Sequence, residues 1–248
     1  MSLHLDNGQI ILSKLFLFLL IGSFLFSACR KDNFAPVTEP VIPCQFQTDN
    51  PAGRSYAAES VVSYTCTDKH CGILPLSNKN YWVYEDSIFN SGVFLKVQFD
   101  TLRYTSNKKS LTDGLIWWES KIYVGLPETL YANDSAFFRL SDRLFTPDIK
   151  DVRKDYSIPA GDSLKYLANF EDAAAIGRSI KLQTAVQTAA GTFYDCVYFE
   201  KNARNYRKDQ VYFKPGLGVV KYIQERAVPG DRVIKLQQIL TLVSVHIE

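Results

Sequence analysis

The sequence predicts a mainly β protein of antiparallel sheet, folded as a sandwich or an incomplete barrel with little helix. Three observations predict it. Aromatic residues make up 13% of the chain and stand with valine and isoleucine in short runs, and such side chains fit a pleated, half-buried surface better than a helix. Turn chemistry separates the runs at Asn90-Ser91-Gly92, Thr112-Asp113-Gly114, Asn133-Asp134, Ala160-Gly161-Asp162 and Pro229-Gly230-Asp231. No heptad or longer internal repeat is superimposed on this pattern.

The other elements are arranged around GTFYDCVYFE (191–200) and VYFKPGLGVVKYIQE (211–225), read as neighbouring antiparallel strands joined by the charged loop KNARNYRKDQ (201–210). Gly191 suits a tight reversal with positive φ. Pro215-Gly216 and Gly218 interrupt the second run; proline cannot donate to a ladder and glycine marks bulges, so a bend or edge is expected there. A phosphate-cradling loop is the alternative, but the third glycine, the Lys-Ser/Thr ending and a following helix are missing. The cluster Lys201, Arg204, Arg207 and Lys208 reads as a solvated hairpin tip. Its functional alternative is a contact for anionic headgroups or acidic glycans.

The clearest alternation is 93–102. Val93, Leu95, Val97 and Phe99 share one face, expected to be buried, and Lys96, Gln98 and Asp100 share the other. Further strands are predicted over 81–88, 115–124, 136–144, 163–170, 179–187 and 232–247, with short helices at 56–64 and 171–176.

The order Gly191, Thr192, Phe193, Asp195, Cys196, Val197, then Tyr212, Phe213, Pro215, Gly216, Gly218, Val219, Val220 and Lys221, resembles a pattern in uncharacterised lipoproteins of Gram-negative bacteria, of the Bacteroidota type. It covers the last third of the chain, with the Trp82, Val83, Tyr84 run as vaguer support. The resemblance implies a mostly antiparallel β fold and carries over no activity and no functional residue.

The N-terminus supplies an address. LFLFLLIGSFLF (15–26) follows Lys14; it is too short for a span of ~20 residues and has the length of a signal-peptide core. Ser27 and Ala28 lead into Cys29, which resembles the lipobox of bacterial lipoproteins, with Phe26 where leucine or valine is usual. That resemblance implies a signal peptide at 1–28 and lipidation, such as palmitate, on Cys29. A plain secretory leader or an uncleaved anchor is the alternative. Residues 29–52 read as the lipidated cysteine and a flexible tether, rich in proline and mixed charge, and 53–248 as a single β domain. The expected location is the cell envelope, as an outer-membrane lipoprotein facing the periplasm or the surface.

Cleavage removes one lysine and one aspartate, so the formal net charge stays at +2, which argues against a nucleic-acid partner. Cys44, Cys66, Cys71 and Cys196 remain, an even number for an oxidising compartment. A Cys66–Cys71 disulfide across CTDKHC is the simplest pairing of those allowed, with Cys196 equally a buried free thiol. Zinc held by Cys66, His70 and Cys71 is the weaker alternative, for want of a second ligand pair. No metal, cofactor or catalytic residue is assigned. The three histidines include His4 in the leader, leaving only His70 and His246 as bases, and there is no Gly-x-Ser-x-Gly elbow. Glu119 beside Trp117 and Trp118 is the best candidate acid for glycoside hydrolysis, although adjacent strand residues face opposite ways.

The expectation is therefore a non-enzymatic binding or carrier module for an apolar or amphipathic ligand, or for an envelope partner protein, in which aromatic residues line the pocket. The alternatives are a glycan-directed hydrolase and a structural subunit of a surface assembly.

Overall fold

The computed structural model describes residues 45–159, 162–170, 173–228, 230 and 233–248. The predicted leader, Cys29, Cys44 and parts of the 160–162 and 229–231 turns lie outside them. Seven strands form one sheet, in the order Ser55–Ala57 (β2), Thr146–Ser157 (β11), Ala136–Arg143 (β10), Thr129–Ala132 (β9), Ile116–Glu119 (β8), Ser106–Ser110 (β7), Val61–Tyr64 (β3). Eight form a second, in the order Ser163–Phe170 (β12), Ala173–Lys181 (β13), Val197–Asn202 (β16), Arg207–Lys214 (β17), Gly218–Ala227 (β18), Ile234–His246 (β19), Tyr81–Asn90 (β5), Val93–Arg103 (β6). Two small pairs complete the set: Gln45–Phe46 (β1) with His70–Cys71 (β4), and Val186–Thr188 (β14) with Gly191–Phe193 (β15). Among the described residues only β1 and β4 run parallel. Among the described residues the sole helical element is a 3-10 turn at Ala58–Ser60, and the second predicted helix is replaced by β13.

The seven-stranded sheet is an incomplete barrel. Its two edges, β2 and β3, are separated in the chain only by Ala58–Ser60, and four residue steps span roughly 14 Å at most, so the sheet curls until its edges come close. Trp117 and Trp118, adjacent on β8, go to opposite faces as strand geometry requires. Trp117 joins Tyr56, Tyr131, Phe138, Leu140 and Val152 in one cluster. Trp118, Leu130, Phe137 and Tyr156 turn the other way, onto Trp82, Tyr84, Phe199, Phe213 and Leu240 of the eight-stranded sheet. This inter-sheet layer is the main core, and it makes the two sheets a sandwich. Phe137 meets Phe213 edge-on at 5.1 Å between centroids, and Tyr156 stacks on Phe199 at 4.5 Å. Each such ring contributes about 1.5–3 kcal/mol by leaving water.

The stretch 191–225 forms four strands rather than two: β15 pairs with β14, and β16, β17 and β18 lie side by side in the eight-stranded sheet. Lys214 to Leu217 form a turn closed by Leu217 N–H donating to the Lys214 carbonyl at 3.0 Å, with Pro215 second and Gly216 third at φ +78°, the arrangement of a type II turn. PGLG thus joins β17 to β18. The bulge lies further on, at Val220, where Tyr212 pairs with Lys221 but Phe213 pairs with Val219. The predicted loop 201–210 is mostly strand, and the reversal is confined to 203–206. The folded unit also starts before residue 53, since β1 pairs with β4 and Pro51 is buried inside the stretch expected to be tether.

The alternation at 93–102 is real and its phase is reversed. Trp82 and Tyr84 on β5 point into the core, and their partners across the ladder are Leu102 and Asp100. The outward residues are therefore the apolar ones: Val93, Leu95, Val97 and Phe99 are 70%, 62%, 45% and 65% exposed, whereas Leu102 is 2% exposed. Period two identifies two faces, and the neighbouring strand decides which is covered. In urea unfolding, Leu102→Ala is expected to cost ~2–5 kcal/mol and Phe99→Ala to stay within ~0.5 kcal/mol of wild type. Equal costs would mean that the outer face is covered in solution.

Candidate functional site

Between the two sheets lies an open cleft of about 600 Å³, within the ~300–1,000 Å³ usual for small-ligand sites. Arg139 on β10 and Asp155 on β11 form one wall, Lys201, Arg207 and Arg226 on β16, β17 and β18 the other, and Tyr123 and Glu128 lead in from the β8–β9 connection.

Strand alternation puts charge here. On β16, Val197, Phe199 and Lys201 point inward, and on β17 Arg207, Asp209, Val211 and Phe213 do the same. Both inward rows begin in the aromatic core and end in ions. The predicted solvated tip is corrected accordingly: the side chains of Lys201 and Arg207 are only 6% and 11% exposed, because they occupy core-facing positions. Asp155 arrives by a β-bulge. Phe137 pairs with Tyr156 and Phe138 with Lys154, so Asp155 is the extra residue, and a bulge re-aims its side chain.

Lys201 Nζ donates to Asp155 Oδ2 at 2.6 Å, with the carboxylate side chain 5% exposed. The ammonium also lies 4.5 Å from the Tyr156 ring centre. Arg207 grips Asp209 through Nε to Oδ1 and Nη2 to Oδ2, both 2.7 Å, and Tyr123 donates its hydroxyl to Asp209 Oδ2 at 2.7 Å. Burial disfavours the Arg207 cation, but Asp209 outweighs it and holds the guanidinium above its ordinary pKa. Burial, followed by the Asp209 charge, pushes the Tyr123 hydroxyl well up, so it remains a donor. Gly125, at φ +82°, brings Tyr123 into place: a Cβ there would lie 2.3 Å from Val211 Cγ2. Arg139 Nε is buried without a hydrogen-bond partner among the described residues.

Beside the cleft, Gln238 donates to Asp86 Oδ2 at 3.0 Å. Asp86 is 1% exposed and its Oδ1 has no partner among the described residues. Burial raises its pKa, and nearby Asp100 adds to the rise. A carboxyl whose folded-state pKa is raised contributes stability that is complete below its unfolded value of about 3.9 and lost as pH rises through the folded value. Asp86→Asn is therefore expected to raise the unfolding midpoint at pH 7 and to leave it unchanged near pH 3, as thermal melts at both pH values will show. A midpoint lowered at pH 7 would mean that the charged carboxylate is needed there.

The sequence-predicted residues are dispersed. Cys66 and Cys196 are buried free thiols, and Cys71 is disulfide-bonded. The expected Cys66–Cys71 pairing is thus not formed. Cys66 turns into the main core, whereas Cys71 sits on β4 opposite Phe46 of the N-terminal strand. The same disulfide removes Cys71 from any zinc set. Glu119 is held by Lys108 at 2.7 Å and by the Thr129 hydroxyl at 3.3 Å, and both neighbouring tryptophans are fully buried, so no sugar platform stands beside it. His246 ends β19, exposed and stacked on Tyr81.

No family model matches the chain, and no curated protein matches it. Among solved structures, the chain is similar to a candidate lipoprotein from Parabacteroides distasonis at 15% identity and a TM-score of 0.34, over 71% of this chain and 99% of that one. A likeness at that level transfers no residue role.

Proposed function

We propose that the chain is a lipid-anchored envelope protein that binds a small acidic ligand in the cleft between its sheets. The observation that carries this reading is Arg139 Nε, buried on the cleft wall without a partner among the described residues. A buried donor left unsatisfied costs about 1–3 kcal/mol, and an oxygen of a carboxylate, phosphate or sulfate brought by a ligand removes that cost with a charge-assisted bond. The surroundings fit: four cationic side chains and two acidic ones line the cleft, and Tyr123 and Phe170 provide apolar edges. The expected apolar ligand suits this lining poorly, because most of the aromatic surplus is spent in the inter-sheet core. Asp155 and Asp209 serve as counter-charges to Lys201 and Arg207, which favours binding over hydrolysis.

The anchor rests on the sequence alone: the short apolar core 15–26, the Ser27-Ala28-Cys29 junction and the proline-rich stretch after it. Acyl chains on Cys29 hold a protein at a membrane, at about 0.8 kcal/mol per buried CH₂.

Two experiments test the reading. Labelled palmitate is expected to enter the wild-type chain and not Cys29→Ser; equal labelling would take the acyl chain off Cys29, and an unlabelled wild-type chain would remove the anchor. Calorimetric titration of the detergent-solubilised protein with uronic acids, sugar phosphates and fatty acids is expected to give saturable binding of an acidic sugar, at least roughly tenfold weaker in Arg139→Gln. Binding of fatty acids alone, unaffected by Arg139→Gln, would restore the apolar carrier, and turnover of a glycan would make the protein a hydrolase.

A further inference from the structure

A second polar cluster lies away from the cleft, between β3 and β4. The Cys66 thiol, an Asp68 carboxylate oxygen and a His70 ring nitrogen all lie within 4.8 Å of one another. Cys66 Sγ is 3.7 Å from His70 Nε2. Bond lengths of ~2.3 Å to sulfur and ~2.05 Å to nitrogen at a tetrahedral angle would place those two atoms about 3.6 Å apart, so the pair already stands near the separation that a shared zinc ion imposes.

The surroundings are those of a ligand set rather than of an inert core thiol. His70 Nδ1 is 3.0 Å from Gln47 Nε2, which leaves the ring's Nε2 to face Cys66 Sγ. With the amide turned to present its oxygen, Nδ1–H donates to it, the outer-sphere contact that fixes ring and tautomer in histidine metal sites. The imidazole is also wedged edge-on against Trp118, at 5.2 Å between ring centres. Asn107 Oδ1 accepts from the Cys66 N–H at 3.2 Å, and the Asn78 amide donates to the Cys66 carbonyl. The remaining polar atoms of both asparagine side chains, Asn107 Nδ2 and Asn78 Oδ1, are buried without partners among the described residues. Cys66 is 1% exposed and His70 3%, while Asp68 is half-buried, so one side of the cluster opens toward water.

We infer that Cys66, Asp68 and His70 form a binding site for one zinc ion, with solvent in the fourth position. Thiolate, imidazole and carboxylate together suit a borderline-soft divalent ion and not calcium or magnesium. Binding forms Zn–S, Zn–N and Zn–O bonds, and the Cys66 thiol gives up its proton to solvent. The ion would tie the 65–69 segment to β4, and so to the strand that carries the Cys71 disulfide.

The test uses the full mature chain in detergent, stripped with chelator and titrated with Co²⁺ and then Zn²⁺. One equivalent of Co²⁺ is expected to give a thiolate-to-cobalt charge-transfer band that Zn²⁺ displaces. The band should survive Cys196→Ser, vanish in Cys66→Ser, and require roughly tenfold or more Co²⁺ in Asp68→Asn. Asp68 is half-buried, so this last variant keeps the test alive where loss of the core thiol prevents folding. A folded wild-type chain with no band and no zinc retained after dialysis, or a band lost in Cys196→Ser instead, would overturn the site and leave a buried thiol–imidazole hydrogen bond.

Discussion

The ion pair between Lys201 and Asp155 is where the two sheets meet in charge instead of in hydrocarbon. Elsewhere the interface is Phe137, Tyr156, Phe199 and Phe213, packed ring against ring. Moving a lysine and an aspartate out of water costs several kcal/mol per ion before they attract each other. The chain offsets this with a 2.6 Å contact, the Tyr156 face beneath the ammonium, and a second pair, Arg207–Asp209, capped by Tyr123. Apolar residues at these positions would have let the sheets close on each other. Ions require hydration or partners, and a cleft between the sheets provides both.

The same constraint sets the chemistry of the cleft. Asp155 and Asp209 are committed to Lys201 and Arg207, while Arg139 keeps an Nε within the wall that no group among the described residues satisfies. A surface guanidinium would be satisfied by water, whereas a half-enclosed one rewards an anion. A weakly charged protein, at +2 overall, can in this way present a locally cationic pocket without acting as a polycation.

The strands were legible where composition and turns agree. The ranges 81–88, 163–170 and 232–247 fall on β5, β12 and β19 nearly residue for residue, because aromatic and β-branched runs end at Gly, Asn or Pro signals. The phase of β6 was not legible, since an edge strand takes its orientation from β5 and not from its own hydrophobicity. The charged wall was half legible: Lys201 continues the inward row of Val197 and Phe199, and Asp209 and Arg207 precede that of Val211 and Phe213. Counting parity from the aromatic residues would have found them; counting charge placed them in solvent. Asp155 could not be found so, because its direction depends on a bulge visible only in the ladder with β10. Cys66 and Cys71 misled through proximity in sequence, when β1, a strand of two residues, settles which way Cys71 faces.

A double-mutant cycle on Lys201→Met and Asp155→Leu, followed by urea unfolding, tests most directly whether this inter-sheet pair organises the cleft. Each single variant strands one buried charge and is expected to lose ~3–5 kcal/mol, while the double variant returns close to wild-type stability. Single variants costing less than ~1 kcal/mol with no coupling, the behaviour of an exposed surface pair, would contradict a buried ionic junction between the sheets.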